Sequence, residues 1–76
     1  MSCYTRHLKS IFAEAGVTDT TTNHQAADRV LRDRLGMQHA RCSEVWRELR
    51  HWLAQPSTRA LVIEDLHDHF RSVAVR

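Results

Sequence analysis

The chain has 76 residues, of which 42% are hydrophobic and 26% charged, values close to globular averages that exclude wholesale disorder. It contains two Gly and one Pro, and this shortage of breaks disfavours a many-turned β fold. The formal net charge of +2 does not by itself indicate a nucleic-acid partner, and the absence of a long apolar run predicts no membrane partner.

The length leaves room for one domain, which we place over residues 1–76. A domain this small buries only roughly 60% of the surface of its unfolded chain, so it often depends on a partner subunit, a metal or a disulfide. The amino terminus has no signal-peptide core, and we expect a cytoplasmic protein. In that compartment Cys3 and Cys42 are expected to be reduced thiols.

The first periodic segment predicts an amphipathic helix. Its apolar residues recur at i, i+4, i+7, i+8 and i+11, which places them on one face. These residues are Tyr4, Leu8, Ile11, Phe12 and Ala15. Gly16 followed by Val17 is typical of a helix that ends at a left-handed glycine with a hydrophobic contact beyond it.

A polar connector, residues 17–22, leads to a second predicted helix. Thr22 and Gln25 have the spacing of a capping box, in which each side chain satisfies a free backbone donor. The apolar stripe of this helix comprises Ala26, Ala27, Val30, Leu31 and Leu35. We expect Gly36 to end it, as Gly16 ends the first.

The third predicted helix contains both tryptophans and the densest helical pattern. Ser43 is its expected N-cap, and Pro56 prevents its simple continuation. The stripe comprises Val45, Trp46, Leu49, Trp52 and Leu53. Because large aromatic side chains contribute most to a small core, we expect the other elements to pack against this helix.

The carboxyl-terminal segment has two interpretations. The first is a fourth helix capped by Ser57, with a stripe of Val62, Ile63, Leu66, Phe70 and Val73. The second is a hairpin of strands 59–64 and 70–76, which would give the element order of a winged helix. The joint between those strands lacks the Gly or Asn of a tight hairpin, so helix is favoured. The sequence therefore predicts an all-α bundle of four short helices, with three helices plus a hairpin as the alternative.

Two short Cys/His pairs suggest a structural metal as a further alternative. Cys3 with His7 and His39 with Cys42 supply four ligand types that suit tetrahedral zinc. Neither spacing is a common zinc motif, and six histidines readily produce such pairs by chance. The main expectation is therefore no cofactor.

We also expect no enzymatic activity and no small-molecule substrate. The sequence has no glycine loop that would cradle a phosphate. Ser43 or Cys42 near His39 lacks the third group that orients a base toward a nucleophile. No residue is therefore assigned a catalytic role.

The distribution of arginine favours a nucleic-acid partner over other named ligands. Between residues 29 and 50 there are six Arg against Asp33, Glu44 and Glu48, a local excess of 6 − 3 = +3. The predicted contacts are Arg29, Arg32, Arg41, Arg47 and Arg50. Helices two and three would form a helix-turn-helix, although their connector is longer than usual and Glu44 and Glu48 would oppose phosphates.

The competing hypothesis is a protein-interaction module or homodimer. Trp46 and Trp52 lie at opposite margins of a stripe that is wide for a single neighbour. If one of them stays exposed, it would pack against a second chain.

Overall fold

The structure is a computed structural model that describes the backbone of residues 4–75 and the side chains of residues 4–71. A 3-10 turn at Thr5–His7 is followed by α1 (Lys9–Ala15), α2 (Thr21–Leu35), α3 (Cys42–Ala54) and α4 (Pro56–Val75). There is no strand between residues 4 and 75. The predicted all-α fold of four helices is confirmed, and the alternative with a carboxyl-terminal hairpin is wrong.

The first predicted helix is divided into two pieces. Leu8 has φ −104° and ψ 20°, outside the α region, and separates the 3-10 turn from α1. Its N–H closes the 3-10 turn on the carbonyl of Thr5 at 2.9 Å. The predicted apolar face is nevertheless kept, since Tyr4, Leu8, Ile11, Phe12 and Ala15 are all buried.

Both glycines end helices as predicted. Gly16 has φ +74° and Gly36 has φ +69°, the left-handed conformation that costs glycine little. The N–H of Val17 donates to the carbonyl of Phe12 at 2.9 Å, and Val17 is buried against the core. The same backward hydrogen bond joins Met37 to Arg32 at 2.8 Å.

The helix starts differ from prediction by one or two residues. Thr20, not Thr22, caps α2, because its hydroxyl accepts from the N–H of Asn23 at 3.2 Å. Ser43 lies inside α3, which begins at Cys42 with Arg41 as the N-cap residue. Pro56 is the first residue of α4, a position where its fixed φ and missing N–H are tolerated.

The core lies where α4 meets the other three helices. We expected α3 to be central, but α4 packs against α1, α2 and α3, since its 20 residues extend across all of them. Leu49 and Val45 of α3 and Leu66 and Val62 of α4 are fully buried. None of the helices in the described part of the chain has both the length and the hydropathy needed to cross a membrane.

Candidate nucleic-acid interface

Trp46 is the centre of a cluster of aromatic and cationic side chains. The His7 ring stacks on it, with centroids 5.2 Å apart and planes at 23°. The Tyr4 ring is stacked at 6.3 Å and 15°. The guanidinium carbon of Arg50 lies 5.9 Å from the Trp46 ring centroid, within the range of a cation–π interaction. The cluster therefore joins the amino-terminal turn to α3.

Tyr4 fixes the amino-terminal turn in this position. Its side chain is only 2% exposed, and its hydroxyl donates to a carboxylate oxygen of Asp28 on α2. Burial raises the pKa of Tyr4 far above its ordinary value, and the hydrogen bond and negative charge of Asp28 raise it further. Tyr4 therefore remains a neutral donor at physiological pH. His7, three residues later, is placed over Trp46.

Arg32 is occupied inside the fold. Its Nε donates to Oδ1 and Oδ2 of Asp28 at 3.0 and 3.1 Å. One terminal nitrogen donates to the carbonyls of Met37 and Ala40 in the α2–α3 connector, and the other lies 3.7 Å from Sγ of Cys42. The side chain is only 15% exposed, and its hydrogen bonds hold the α2–α3 connector.

The remaining arginines fall into a paired and an unpaired group. Arg34 is paired with Asp65, Arg59 with Glu14 and Arg71 with Asp68. By contrast, five exposed arginines form no ion pair with any residue in the described part of the chain. They are Arg6, Arg29, Arg41, Arg47 and Arg50. Four of the five predicted contact residues therefore have a guanidinium group that forms no ion pair with a described carboxylate.

Two of these arginines lie at the aromatic cluster. Arg50 is in contact with Trp46, and Arg47 lies one turn earlier on α3, where i and i+3 side chains are neighbours. We call His7, Trp46, Arg47 and Arg50 the Trp46 flank. Arg29, on the exposed face of α2, and Arg41, before α3, are not brought into contact with it.

Glu48 and Arg50 lie on different sides of α3. Glu48 lines a cavity of about 180 Å³ together with Trp52 and Thr58, which places it toward the start of α4. Arg50 is two residues later, and about 200° of helical rotation places it on the opposite side, toward the amino-terminal turn. Arg50 and Glu48 therefore lie on opposite sides of α3, whereas Glu44 lies three residues before Arg47, a spacing at which helical side chains are neighbours.

The predicted zinc ligands are not assembled by the residues described. His7 is stacked on Trp46, His39 is exposed in the connector, and Cys3 lies outside the described residues. Cys42 is disulfide-bonded, which differs from the expected reduced thiol, and a disulfide sulfur lacks the negative charge of a thiolate ligand. Within residues 4–71 no group of three or more His, Cys, Asp or Glu is arranged to hold a metal ion.

Both tryptophans pack partly against the core. Trp46 is covered by His7 and Tyr4. Trp52 contacts the core and contributes to the cavity beside Glu48. Neither indole is among the large hydrophobic side chains that are exposed; in the described chain Leu61 is, at 39%.

An open groove of about 410 Å³ lies between α2 and α4. Arg34 and Asp65 line it and neutralise each other through an ion pair. Asp33 and His69 also lie along it, so its lining combines charges of both signs. This groove does not present the charge excess of the Trp46 flank.

Sequence reasoning named Arg47 and Arg50 as nucleic-acid contacts and Trp46 as an interaction residue, but missed the stacking of His7 and Tyr4 on Trp46. His7 was named only in the alternative zinc site, and Tyr4 only as part of the apolar face of the first helix. Their contacts with Trp46 join residues about 40 positions apart, and no local spacing encodes such a pair. The sequence offered one signal for these contacts: aromatic and basic residue types occur both in the amino-terminal turn and in α3.

Comparisons with known proteins add no assignment: no protein-family model, no curated protein and no solved structure matches this chain.

Proposed function

We propose that this chain is a non-catalytic module that binds nucleic acid, with the phosphate backbone lying along the Trp46 flank. Arg47 and Arg50 contact phosphates, and Arg29 and Arg41 extend the positive potential over neighbouring surface. The supporting observation is the division of the arginines: those of this region are exposed and have no carboxylate partner among the described residues, while Arg34 and Arg59 are paired.

An unpaired arginine is the better phosphate ligand for an energetic reason. Binding a phosphate requires no internal ion pair to be broken, and the planar guanidinium makes two parallel hydrogen bonds to phosphate oxygens. Each phosphate that is neutralised also releases condensed counterions, which makes the affinity depend on salt. Arg50 is further held against Trp46, so less side-chain freedom is lost on binding.

The test is the salt dependence of binding to a fluorescently labelled oligonucleotide, followed by anisotropy. We expect the affinity to fall steeply as salt rises from about 50 to 200 mM. Replacing Arg47 and Arg50 together with Ala should weaken binding and reduce the slope of log K against log salt by about one per lost phosphate contact.

Arg59→Ala is the matched control, because it removes one arginine that Glu14 already neutralises. It should keep the slope of the unmodified protein. Two results would contradict the proposal: an affinity that does not change with salt, or an equal loss of oligonucleotide affinity in Arg59→Ala and in the double variant.

Self-association through an exposed tryptophan has less support, since both indoles pack partly against the core. A cytoplasmic location stays a prediction, and the disulfide at Cys42 does not favour it.

A further inference from the structure

Among the described aromatic rings, the stack on Trp46 ends at His7. One face of the His7 imidazole lies on the indole of Trp46 at 5.2 Å, and His7 is exposed. No other aromatic ring of the described residues stacks on His7. A second planar group that extended the stack would lie on the outer face of this exposed imidazole.

Positive charge lies near this stack on α3. The guanidinium carbon of Arg50 lies 5.9 Å from the centroid of the same indole. Arg47 lies one turn before Arg50, with about 5–6 Å between their Cβ atoms at that helical spacing. A planar group stacked on His7 would thus extend a stack whose indole already contacts Arg50, and Arg50 has no ion pair among the described residues. A nucleotide combines these two features, a flat base and a phosphate.

We infer that the ligand of the Trp46 flank is a single-stranded nucleic acid, one base of which extends the Trp46–His7 stack on the outer face of His7. This inference rests on the proposed function and specifies its ligand. The neighbouring phosphates bind Arg50 and Arg47. Single-strand binding proteins commonly combine stacking on aromatic side chains with a positively charged track for the backbone.

The charge distribution on α3 argues against a duplex. A helix inserted into a major groove about 12 Å wide has phosphates on both of its sides. The side of α3 that carries Arg50 would meet one phosphate backbone, but Glu48, on the side facing α4, would meet the other. A duplex also keeps its bases stacked on each other, so they are not free to stack on His7. A single strand needs only the side that carries Arg50 and offers its bases.

The experiment compares three fluorescent probes by anisotropy at low salt: a twelve-nucleotide oligothymidylate, an abasic strand with the same phosphates, and a blunt duplex hairpin. Base stacking on an aromatic ring contributes about 1–3 kcal/mol, so oligothymidylate should bind about 5- to 150-fold more tightly than the abasic strand. The duplex should also bind more weakly than oligothymidylate. Oligouridylate shares the stacking surface and the phosphates, so the ratio of its affinity to that of oligothymidylate assigns RNA or DNA.

Variants of His7 test where the base stacks. His7→Ala should reduce the ratio of the oligothymidylate affinity to the abasic-strand affinity to about one. His7→Phe keeps a flat ring and should preserve the preference for oligothymidylate over the abasic strand. Circular dichroism checks that both variants remain helical.

The outcomes separate the inference from the proposed function. Equal binding of oligothymidylate and the abasic strand, tighter binding of the duplex, or an unchanged preference in His7→Ala would overturn the single-strand inference and leave phosphate binding standing. Absence of binding to all probes would remove both.

Discussion

The phenolic hydroxyl of Tyr4 donates a hydrogen bond to the carboxylate of Asp28, 24 residues later in the chain. The same carboxylate accepts from Arg32, whose terminal nitrogens hold the α2–α3 connector. The half-buried carboxylate of Asp28 thus links the amino-terminal turn to α2 through Tyr4 and to the connector through Arg32. Because the turn positions His7, this polar network supports the Trp46 flank without belonging to it.

Removing the hydroxyl of Tyr4 should therefore destabilise the protein while preserving the contact of its ring with Trp46. Tyr4→Phe retains the stacked ring but loses a hydrogen bond to a charged group, which contributes about 1.5–3 kcal/mol. We expect the free energy of unfolding in urea to fall by that amount. A double-mutant cycle with Asp28→Asn is the control: losses that simply add would show that the two side chains do not interact.

The same variant gives a test in alkaline solution. The pKa of Tyr4 in the folded chain is raised above its ordinary value of 10.0, so the phenol stays protonated where the unfolded chain has already ionised. Its stabilising contribution is complete below pH 10.0 and is lost progressively as the pH rises above it. The stability difference between the unmodified protein and Tyr4→Phe should shrink above that pH. A difference that stays constant there would contradict the raised pKa.

The contribution of the α2 N-cap to stability can also be tested. Thr20→Ala removes the hydroxyl that accepts from Asn23, and such a loss typically costs about 1 kcal/mol of stability. Thr22→Ala is the matched control, since Thr22 is exposed within the first turn of the helix. Thermal unfolding should show a lower midpoint for Thr20→Ala alone. The opposite order would restore Thr22 as the cap.

Apolar periodicity was sufficient to predict the helices and most of the core. The periodicity does not depend on the exact start of a helix. The buried faces of α1 and α3 were therefore predicted correctly, although the first residues of these helices were not. The caps are harder because residues 20–22 are three consecutive threonines, each with a hydroxyl able to cap. Which one accepts a hydrogen bond depends on where the chain enters from the preceding connector.

Only the features of the Trp46 flank that are local in sequence were predictable. A surplus of arginine in residues 29–50 is visible in the sequence, and so is the tryptophan beside Arg47. Tertiary contacts decide the pairing of Arg34 and Arg59, whose carboxylate partners are 31 and 45 residues away. Arg32 instead meets Asp28 within its own helix at i, i+4, a local spacing that is visible in the sequence.

The glycine at the end of α1 provides a fourth prediction. Gly16 has φ +74° and nothing lies within 4 Å of a Cβ built there, so substitution costs backbone strain and causes no clash. Gly16→Ala should lower stability by about 1–2 kcal/mol. Gly16→Asn should lose less, because Asn adopts the left-handed conformation more readily. Equal unfolding midpoints for the glycine protein and the alanine variant would show that α1 ends in another way.

The core of a chain this short should depend strongly on single side chains. Leu49 of α3 is fully buried, and Leu→Ala at such positions costs about 2–5 kcal/mol. At about 0.05–0.15 kcal/mol per residue, the whole chain has only about 4–11 kcal/mol of stability. Leu49→Ala should therefore remove a large fraction of it and shift the urea midpoint strongly. Leu61→Ala, at a side chain that is 39% exposed, should change stability by less than about 0.5 kcal/mol. Similar losses for the two variants would mean that α3 does not direct Leu49 into the core.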